Sequence, residues 1–255
     1  MQRYFVLQEN VTRNSIRITG DDVHHLQRVM RSQVGENIIC NSENGQAALC
    51  RITMLTDDYV DVEVIEWLKD TNELPVHVTI AQGIPKGDKF DLILQKGTEL
   101  GATAFIPFQA ERSIAIWNDE KKYHKKVKRF QKILKEASEQ SHRNRIPTLY
   151  PVMNLKQLLD EAPAHTVKLF AYEEEAKTEK MTSKLVNSLQ NISSHDKIIL
   201  CIGPEGGFSN EEADQLIEND FIPIRLGKRI LRTETAALYA LSSISYQLEE
   251  LRCLT

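Results

Sequence analysis

From Pro75 onward, the sequence alternates between short apolar runs and longer segments of helical periodicity. The apolar runs read VHVTIAQGI, ATAFIPF, VKLFAYEE, KIILCIG and FIPIRLG. Strands buried on both faces of a parallel sheet are apolar throughout, whereas half-exposed strands alternate apolar and polar residues. The pattern therefore predicts an α/β domain over residues 75–255, with a mostly parallel sheet flanked by helices.

The first 70 residues follow a different pattern. In VDVEVIEW, Val60, Val62 and Val64 fall on one face and Asp61 and Glu63 on the other, as in a half-buried strand. RYFVL, ENIIC and ALCRITML predict further strands between polar turns. We therefore expect a small β-barrel over residues 1–70, followed by a polar linker, KDTNELP.

One segment of this first region, DDVHHLQRVMRSQVG, is predicted to be helical instead. Asp21 or Asp22 would cap its N-terminus, because a short carboxylate can accept hydrogen bonds from the first free amides. The apolar residues at helical spacing, which we expect to face the core, are Val23, Leu26, Val29 and Met30.

Composition excludes several classes of protein. The chain of 255 residues has no apolar run of eighteen, and its start, MQRYFVLQEN, lacks a signal-peptide core, so neither membrane insertion nor export is expected. Its four cysteines are scattered and never form Cys-x-x-Cys. The sequence therefore predicts no metal centre and no disulfide framework, and a cytoplasmic location.

The net charge of −4 conceals a basic segment. Residues 121–145 contain ten lysines and arginines against two glutamates. Such segregation of charge indicates an anionic partner, although a solvated helix face would give the same pattern.

The segment GPEGGFSNEE lies between a predicted strand and a predicted helix. Its spacing fits neither the G-x-G-x-x-G dinucleotide fingerprint nor a P-loop. Ser209 and Glu212 have the spacing of a capping box, which predicts that the helix begins directly after the glycines. A loop of this kind presents free amides to a ligand, with Glu205 placed to accept hydrogen bonds or bind a cation, but a tight turn without a ligand remains the alternative.

A second loop, LGKRILRTET, follows the last predicted strand. Ile230 and Leu231 lie between arginines, and together they would form an apolar wall suited to an adenine ring. In the alternative reading, Arg232 and Glu234 form an ordinary surface ion pair, worth less than about 1 kcal/mol.

These motifs, in this order, resemble one known family. The segments are GPEGGFSNEE followed by LGKRILRTETAAL, the opening RYFV, HHLQRVMR, PKGDKFDLILQKGTELGATAFIPF and EASEQSHRNRIP. Together they span essentially the whole chain and are similar to the RsmE family, ribosomal small-subunit RNA (uridine-N3)-methyltransferases of the SPOUT superfamily. Gly97, where alanine is common in the family, is a mild departure.

The resemblance implies a PUA-type RNA-binding module over residues 1–70 and a trefoil-knotted sheet over residues 75–255. It also implies a homodimer and S-adenosylmethionine as the cofactor, with 16S ribosomal RNA in the small subunit as the substrate. By motif position, the residues expected to line the cofactor site are Gly203, Glu205, Gly206, Leu226, Gly227, Ile230 and Leu231.

For catalysis, we expect Arg232 to orient the uracil and stabilise negative charge on its carbonyl oxygens. The proton acceptor is left open between Glu205, Glu234 and water. The basic residues that match the family's motifs and are predicted to contact RNA are Arg28, Arg31, Lys86, Lys96, Arg112 and Arg143.

Two other classes of protein compete with this interpretation. An RNA-binding or assembly protein with an inactive cofactor site would bind ribosomal particles without transferring a methyl group. A nucleotide-dependent oxidoreductase or phosphotransferase would bind NAD or ATP, although the corresponding fingerprints are missing from the sequence.

Overall fold

The structure is a computed structural model that describes residues 1–69, 71–117, 119–172 and 184–252. The chain divides into two compact units. The small unit comprises Met1–Glu73 and Lys135–Ile146, and the large unit comprises Leu74–Leu134 and Pro147–Thr255. The segment Lys135–Ile146 thus packs with the first unit, although the sequence prediction had placed it in the second domain.

The small unit is built on a curled five-stranded sheet in the order β1-β3-β4-β5-β2. Its elements are β1 (Arg3–Val6), β2 (Ser15–Thr19), α1 (Asp21–His24), a π-helical turn (His25–Val29), β3 (Asn37–Ser42), β4 (Ala47–Leu55) and β5 (Tyr59–Leu68). Strands β1 and β2, at opposite ends of this order, also contact each other. The N-cap of α1 is Gly20 rather than either predicted aspartate.

The predicted apolar face of the helical segment is only half correct. Val23 and Leu26 are buried, but Val29 and Met30 are 60% and 39% exposed. The reason is the π-helical turn, in which the Met30 amide donates to the His25 carbonyl at 2.9 Å. This five-residue spacing is wider than that of an α-helix, so it rotates the later apolar residues away from the core.

Glu73 holds the segment Lys135–Ile146 in the small unit. Its carboxylate pairs with the Arg143 guanidinium and accepts hydrogen bonds from the backbone amides of Asn144 (2.9 Å) and Arg145 (3.1 Å). The Asn41 side chain also donates to the Arg143 carbonyl at 2.9 Å. The Arg143 side chain is only 2% exposed, so its prediction as a phosphate contact is corrected: it is a buried structural residue.

The large unit contains a parallel sheet in the order β12-β10-β11-β6-β7-β8, which confirms the predicted α/β class. Its strands are β6 (His77–Gly83), β7 (Ala104–Gln109), β8 (Thr148–Leu149), β9 (Met153–Asn154), β10 (Val167–Ala171), β11 (Lys197–Ile202) and β12 (Ile222–Ile224). Strand β9 pairs with β7 beyond the end of β8. The helices after residue 75 are α2 (Lys89–Glu99), α3 (Glu120–Gln140), α4 (Leu155–Glu161), α5 (Lys184–Gln190), α6 (Asn210–Glu218) and α7 (Thr233–Ser245), the last continuing as a π-helical turn (Tyr246–Leu251). From Lys135 onward, α3 belongs to the small unit.

Both faces of this sheet are covered. The neighbouring residues Leu200 and Cys201 in β11 are fully buried, and they belong to two different apolar clusters. Successive side chains of a strand point to opposite faces, so this burial explains why the strands are apolar throughout. Among the described residues, no helix has the length and apolar content that crossing a membrane requires.

Candidate active site

A cavity of about 560 Å³ opens at the carboxyl ends of β11 and β12 in the large unit. It lies between the loop after β11 (residues 203–209) and the loop after β12 (residues 225–232). All of the predicted cofactor-site residues line it: Gly203, Glu205, Gly206, Leu226, Gly227, Ile230 and Leu231. Open α/β sheets bind ligands at this edge, and the fold thus brings the two sequence motifs to one place.

The glycines of the first loop let backbone segments touch. A Cβ atom on Gly83 would lie 2.6 Å from the Pro204 nitrogen, and one on Gly203 would lie 3.0 Å from the Gly207 carbonyl carbon. Gly207 itself has φ +67°, a conformation that favours glycine. The loop therefore needs glycine for its own close packing, in addition to any space that a ligand occupies.

The predicted capping box is confirmed at the start of α6. Ser209 Oγ accepts from the Glu212 amide at 3.2 Å, and the Glu212 carboxylate accepts from the Ser209 amide at 2.9 Å. The second oxygen of Glu212 accepts from the amide of Glu111, in the loop after β7, at 2.8 Å. Glu212, which is 5% exposed, thus joins two loops at the cavity, a role that its capping motif alone did not predict.

Arg112 makes a second connection between the same loops. Its Nη1 donates to the Gly206 carbonyl at 3.2 Å, and a Cβ atom on Gly206 would lie 2.9 Å from the Arg112 Cβ. Arg112 was predicted to contact RNA, and the structure places this exposed residue in the wall of the cavity.

Lys89 binds both predicted acidic residues of the site. Its Nζ lies 2.7 Å from Glu205 Oε1 and 3.5 Å from Glu234 Oε2. Burial tends to raise the pKa of Glu205, but hydrogen bonds from Lys89 and from the Lys86 amide outweigh it and lower this pKa. The hydrogen bond to Glu205 in turn raises the pKa of Lys89. The sequence interpretation missed Lys89, although it lies just after GIPKGD, a polar stretch at the end of β6.

Arg232 occupies the N-cap position of α7, where its side chain is exposed and lines the cavity. The ion pair between Arg232 and Glu234, the alternative at the sequence level, is not what the described residues form, because Glu234 pairs with Lys89. Arg232 therefore presents a guanidinium to the cavity.

A buried hydrogen-bond chain fastens the beginning of α7 to the glycine loop. Thr233 Oγ1 donates to the Gly203 carbonyl at 2.6 Å and lies 2.7 Å from Gln82 Nε2, which donates to it. The sequence motifs did not indicate this role for Thr233, which lies in LGKRILRTET, or for Gln82. Their contact joins residues 151 positions apart, and it keeps Arg232, the neighbour of Thr233, at the cavity.

The other residues predicted to contact RNA are divided between the two units. Arg28 and Arg31 are exposed in the small unit. Lys86 is exposed in the large unit, whereas the half-buried Lys96 pairs with Glu99 at 2.8 Å.

Among the described residues, no group of three or more His, Cys, Asp or Glu side chains is arranged to hold a metal ion.

Comparison with known families gives two matches along the chain. A family model described as an RNA methyltransferase domain matches residues 72–245, and one described as an RNA methyltransferase PUA domain matches residues 18–65. The second match confirms the expectation of a PUA-type module.

Individual relatives agree with these matches. The ribosomal RNA small subunit methyltransferase E of Bacillus subtilis is 48% identical over 257 residues, with 99% of both chains covered. The crystal structure of the enzyme of the same name from Neisseria gonorrhoeae, bound to S-adenosyl methionine, has a TM-score of 0.82 at 32% identity and covers 96% of this chain and 97% of its own. A Legionella pneumophila structure, described as a methyltransferase in complex with the same cofactor, has a TM-score of 0.80 at 30% identity, with 95% and 96% covered.

Proposed function

The chain belongs to the ribosomal RNA small subunit methyltransferase E family, and on this premise we propose that it transfers a methyl group from S-adenosylmethionine to N3 of a uridine in 16S ribosomal RNA. The observation that carries the proposal is the single cavity that unites the glycine loop, the apolar Ile230–Leu231 wall and Arg232. Its volume of about 560 Å³ lies within the range of small-molecule sites.

The lining residues fit the cofactor chemically. Leu226, Ile230 and Leu231 offer apolar surface to an adenine ring, and the loop from Gly203 to Gly207 offers backbone groups. The Glu205 carboxylate supplies negative charge, which suits a ligand that carries a sulfonium and an ammonium group. When bound, S-adenosylmethionine supplies an electrophilic methyl group.

At the uridine, the N3–H bond breaks and the electron pair left on N3 spreads to the two carbonyl oxygens. That pair would then form the N3–carbon bond while the bond between the methyl group and the donor's sulfur breaks, its electrons staying on sulfur, so that the cofactor would leave as a neutral thioether. Arg232 stabilises the negative charge on the carbonyl oxygens and fixes the plane of the base by hydrogen bonds to an oxygen. Because N3 takes part in base pairing in a duplex, the target must be unpaired or splayed out when it enters the cavity.

Neither carboxylate of the site is well placed to take the proton from N3 directly. The pKa of Glu205 is lowered and its Oε1 accepts hydrogen bonds from Lys89 and Lys86, so its carboxylate is a weak base. The Glu234 Oε2 is buried and has no hydrogen-bond partner among the described residues, although Lys89 lies 3.5 Å away. Because this oxygen is buried and Glu234 does not line the cavity, we propose that a water molecule takes the proton from N3.

The assembled small subunit is the proposed substrate, and the cytoplasm is the proposed location. Arg28, Arg31, Lys86, Lys96 and Arg112 are the proposed phosphate contacts, without the buried Arg143. We also propose that the chain forms a homodimer and that its sheet is knotted, as the resemblance implied.

The test combines purified protein, labelled S-adenosylmethionine and small ribosomal subunits that lack the modification, with free 16S ribosomal RNA in parallel. Mass spectrometry of the digested RNA should identify 3-methyluridine. Methylation at another atom or base would contradict the proposed reaction. Binding to the subunits without any methyl transfer would support an assembly protein instead.

A further inference from the structure

The loop after β7 contains an apolar segment that the core does not use. In residues 110–117, which read AERSIAIW, Ile114 is 69% exposed and Ile116 is 64% exposed. They are separated only by Ala115, whereas Trp117 returns to the interior and packs edge-on against Phe90, with ring centroids 5.2 Å apart. Scattered exposed isoleucines are common, but two within three residues are a local apolar surface that needs an explanation.

This segment is held in place at several points. The Glu111 amide donates to Glu212 and the Arg112 guanidinium donates to Gly206, both in or beside the glycine loop. Gln109 Nε2 donates to the Ala115 carbonyl at 3.2 Å, directly between the two isoleucines. The isoleucines therefore protrude from a fastened loop that begins in the wall of the cavity.

The charge of the neighbouring cavity indicates which kind of molecule Ile114 and Ile116 contact. Among the residues that the structure describes, five cations line the cavity, Lys89, Arg112, Arg225, Arg229 and Arg232, against one carboxylate, Glu205. A polyanion is attracted to such a surface, whereas a second copy of the same face would bring like charges together. Ile230, which is 69% exposed, adds an apolar side chain at the same cavity.

From these observations, and resting on the proposed function, we propose that Ile114 and Ile116 contact the nucleotides that flank the target uridine. Apolar side chains inserted beside bases replace the stacking that is lost when a nucleotide is splayed out. The cations hold the phosphates, and the isoleucines stabilise the open arrangement of the strand, so that the target base remains in the cavity.

The test is the double variant I114A/I116A, assayed on small ribosomal subunits that lack the modification. We expect kcat to fall about tenfold or more, because fewer bound substrates hold the base in the cavity. The KM for subunits should stay within about twofold, because the cations that bind phosphate are unchanged. The conservative variant I114M/I116M should recover most of the activity, since methionine restores apolar surface.

The matched control is V186A/I217A, which removes two other exposed apolar side chains of the large unit, 52% and 49% exposed. It should behave as the wild type. Calorimetry with S-adenosylmethionine should give the same affinity for every variant, and light scattering should give the same mass.

Each of the remaining outcomes overturns the inference, and the measurements distinguish one from another. A kcat of I114A/I116A within about twofold of the control would show that the isoleucines have no role in positioning RNA. A changed mass would identify the segment as a contact between copies, and a loss of cofactor affinity would identify it as part of the cavity's scaffold. If the wild type itself transfers no methyl group to subunits, the proposed function fails and this inference fails with it.

Discussion

The two units use arginine and glutamate in opposite ways. In the small unit, the side chain of Arg143 is 2% exposed and forms an ion pair with Glu73. This pair joins two parts of the chain that lie 70 residues apart in sequence. In the large unit, Arg232 is exposed at a cavity, while Glu205 and Glu234 share Lys89. A buried pair fixes one arrangement of the chain, whereas an exposed guanidinium beside a cavity remains available to a ligand.

The polar groups that hold the loops differ as well. The small unit buries whole side chains for this purpose, among them Asn41, Arg143 and Asn144. The large unit relies on glycines that let backbone approach backbone, as at Gly83 and Gly203, with Thr233 and Gln82 joining the loops. Glycines have no side chains, so the loops of the large unit leave room for the cavity between them.

The largest effect is expected at the exposed arginine of the large unit. The substitution Arg232→Ala should lower kcat for methyl transfer by about 10³-fold, because it removes charge stabilisation from the developing uracil anion. The melting temperature and the affinity for S-adenosylmethionine should change little, since the side chain is exposed. Single-turnover kinetics on small subunits, with calorimetry for cofactor binding, measure both.

Arg229→Ala is the matched control, because it removes another exposed cation from the same cavity. A comparable loss of kcat in both variants would mean that general charge, rather than the position of Arg232, drives the reaction.

Breaking the buried pair of the small unit should cost stability instead of activity. Arg143→Met removes the buried cation that pairs with the half-buried carboxylate of Glu73, which should destabilise the small unit by about 3 kcal/mol. The chain has two tryptophans, Trp67 in the small unit and Trp117 in the large unit. In a W117F background, urea unfolding followed by Trp67 fluorescence therefore reports on the small unit.

The double variant E73Q/R143M sharpens this prediction, because glutamine removes the charge but keeps an oxygen for the amides of Asn144 and Arg145. Removing both charges should recover part of the loss, because no unpaired buried charge remains. If R143M alone unfolds at the same urea concentration as its W117F parent, the pair does not fasten the segment.

The close glycine contacts of the large unit predict a smaller loss of unfolding free energy. Gly83→Ala would place a Cβ atom 2.6 Å from the backbone nitrogen of Pro204, so the loop must shift, at a cost of about 2–3 kcal/mol. Gly97→Ala is the comparison: its Cβ atom would meet the buried ring of Phe105 at 2.9 Å, so it also costs stability, but the gain in helix propensity offsets part of this cost. Unfolding in a W67F background, followed by Trp117 fluorescence, should separate the two variants, and equal midpoints would contradict the argument.

The smallest effect is a pH dependence in the small unit. Burial, together with the charge of Asp22, raises the pKa of Glu139 to about 7 from 4.5, in spite of the nearby Lys135. The folded state therefore holds this proton more tightly than the unfolded state between these values. Below pH 4.5 the effect vanishes, and as pH rises to 7 and above, the folded state loses stability relative to the unfolded state.

The variant E139Q removes this titration. The unfolding free energy of the wild type should fall relative to that of E139Q as pH rises from 5 to 8, measured in the W117F background. Parallel pH profiles of the two proteins would show that Glu139 keeps an ordinary pKa. A relative increase would reverse the sign of the argument.

Much of the fold could be predicted, because its signals are local. Runs such as KIILCI, apolar throughout, require a strand covered on both faces, and β11 is such a strand. The capping box of Ser209 likewise fixes where α6 begins. The prediction that Val29 and Met30 face the core was wrong, because a single π-helical turn from His25 changes the helical period. The pattern of apolar residues gives no sign of such a turn.

The candidate site was predictable to a lesser degree. The two loops and Arg232 could be read from motifs, but Lys89, Thr233 and the second contact of Glu212 could not. Each of these depends on residues that are distant in sequence and meet only when β6, β7 and β11 lie side by side. Arg143 is the opposite case, a residue that the motif assigned to a site and the structure places in the interior. Its basic motif does not show whether the side chain is exposed or is buried in an ion pair with Glu73.

The sequence by itself determined the periodicity of strands and helices, the positions of the glycines and the supply of charged groups, since each of these is set by neighbouring residues along the chain. Only the tertiary structure decided which charges are buried in pairs and which remain open to a ligand. The reason is that the burial of a charge depends on what packs around it, and the partners come from distant parts of the chain.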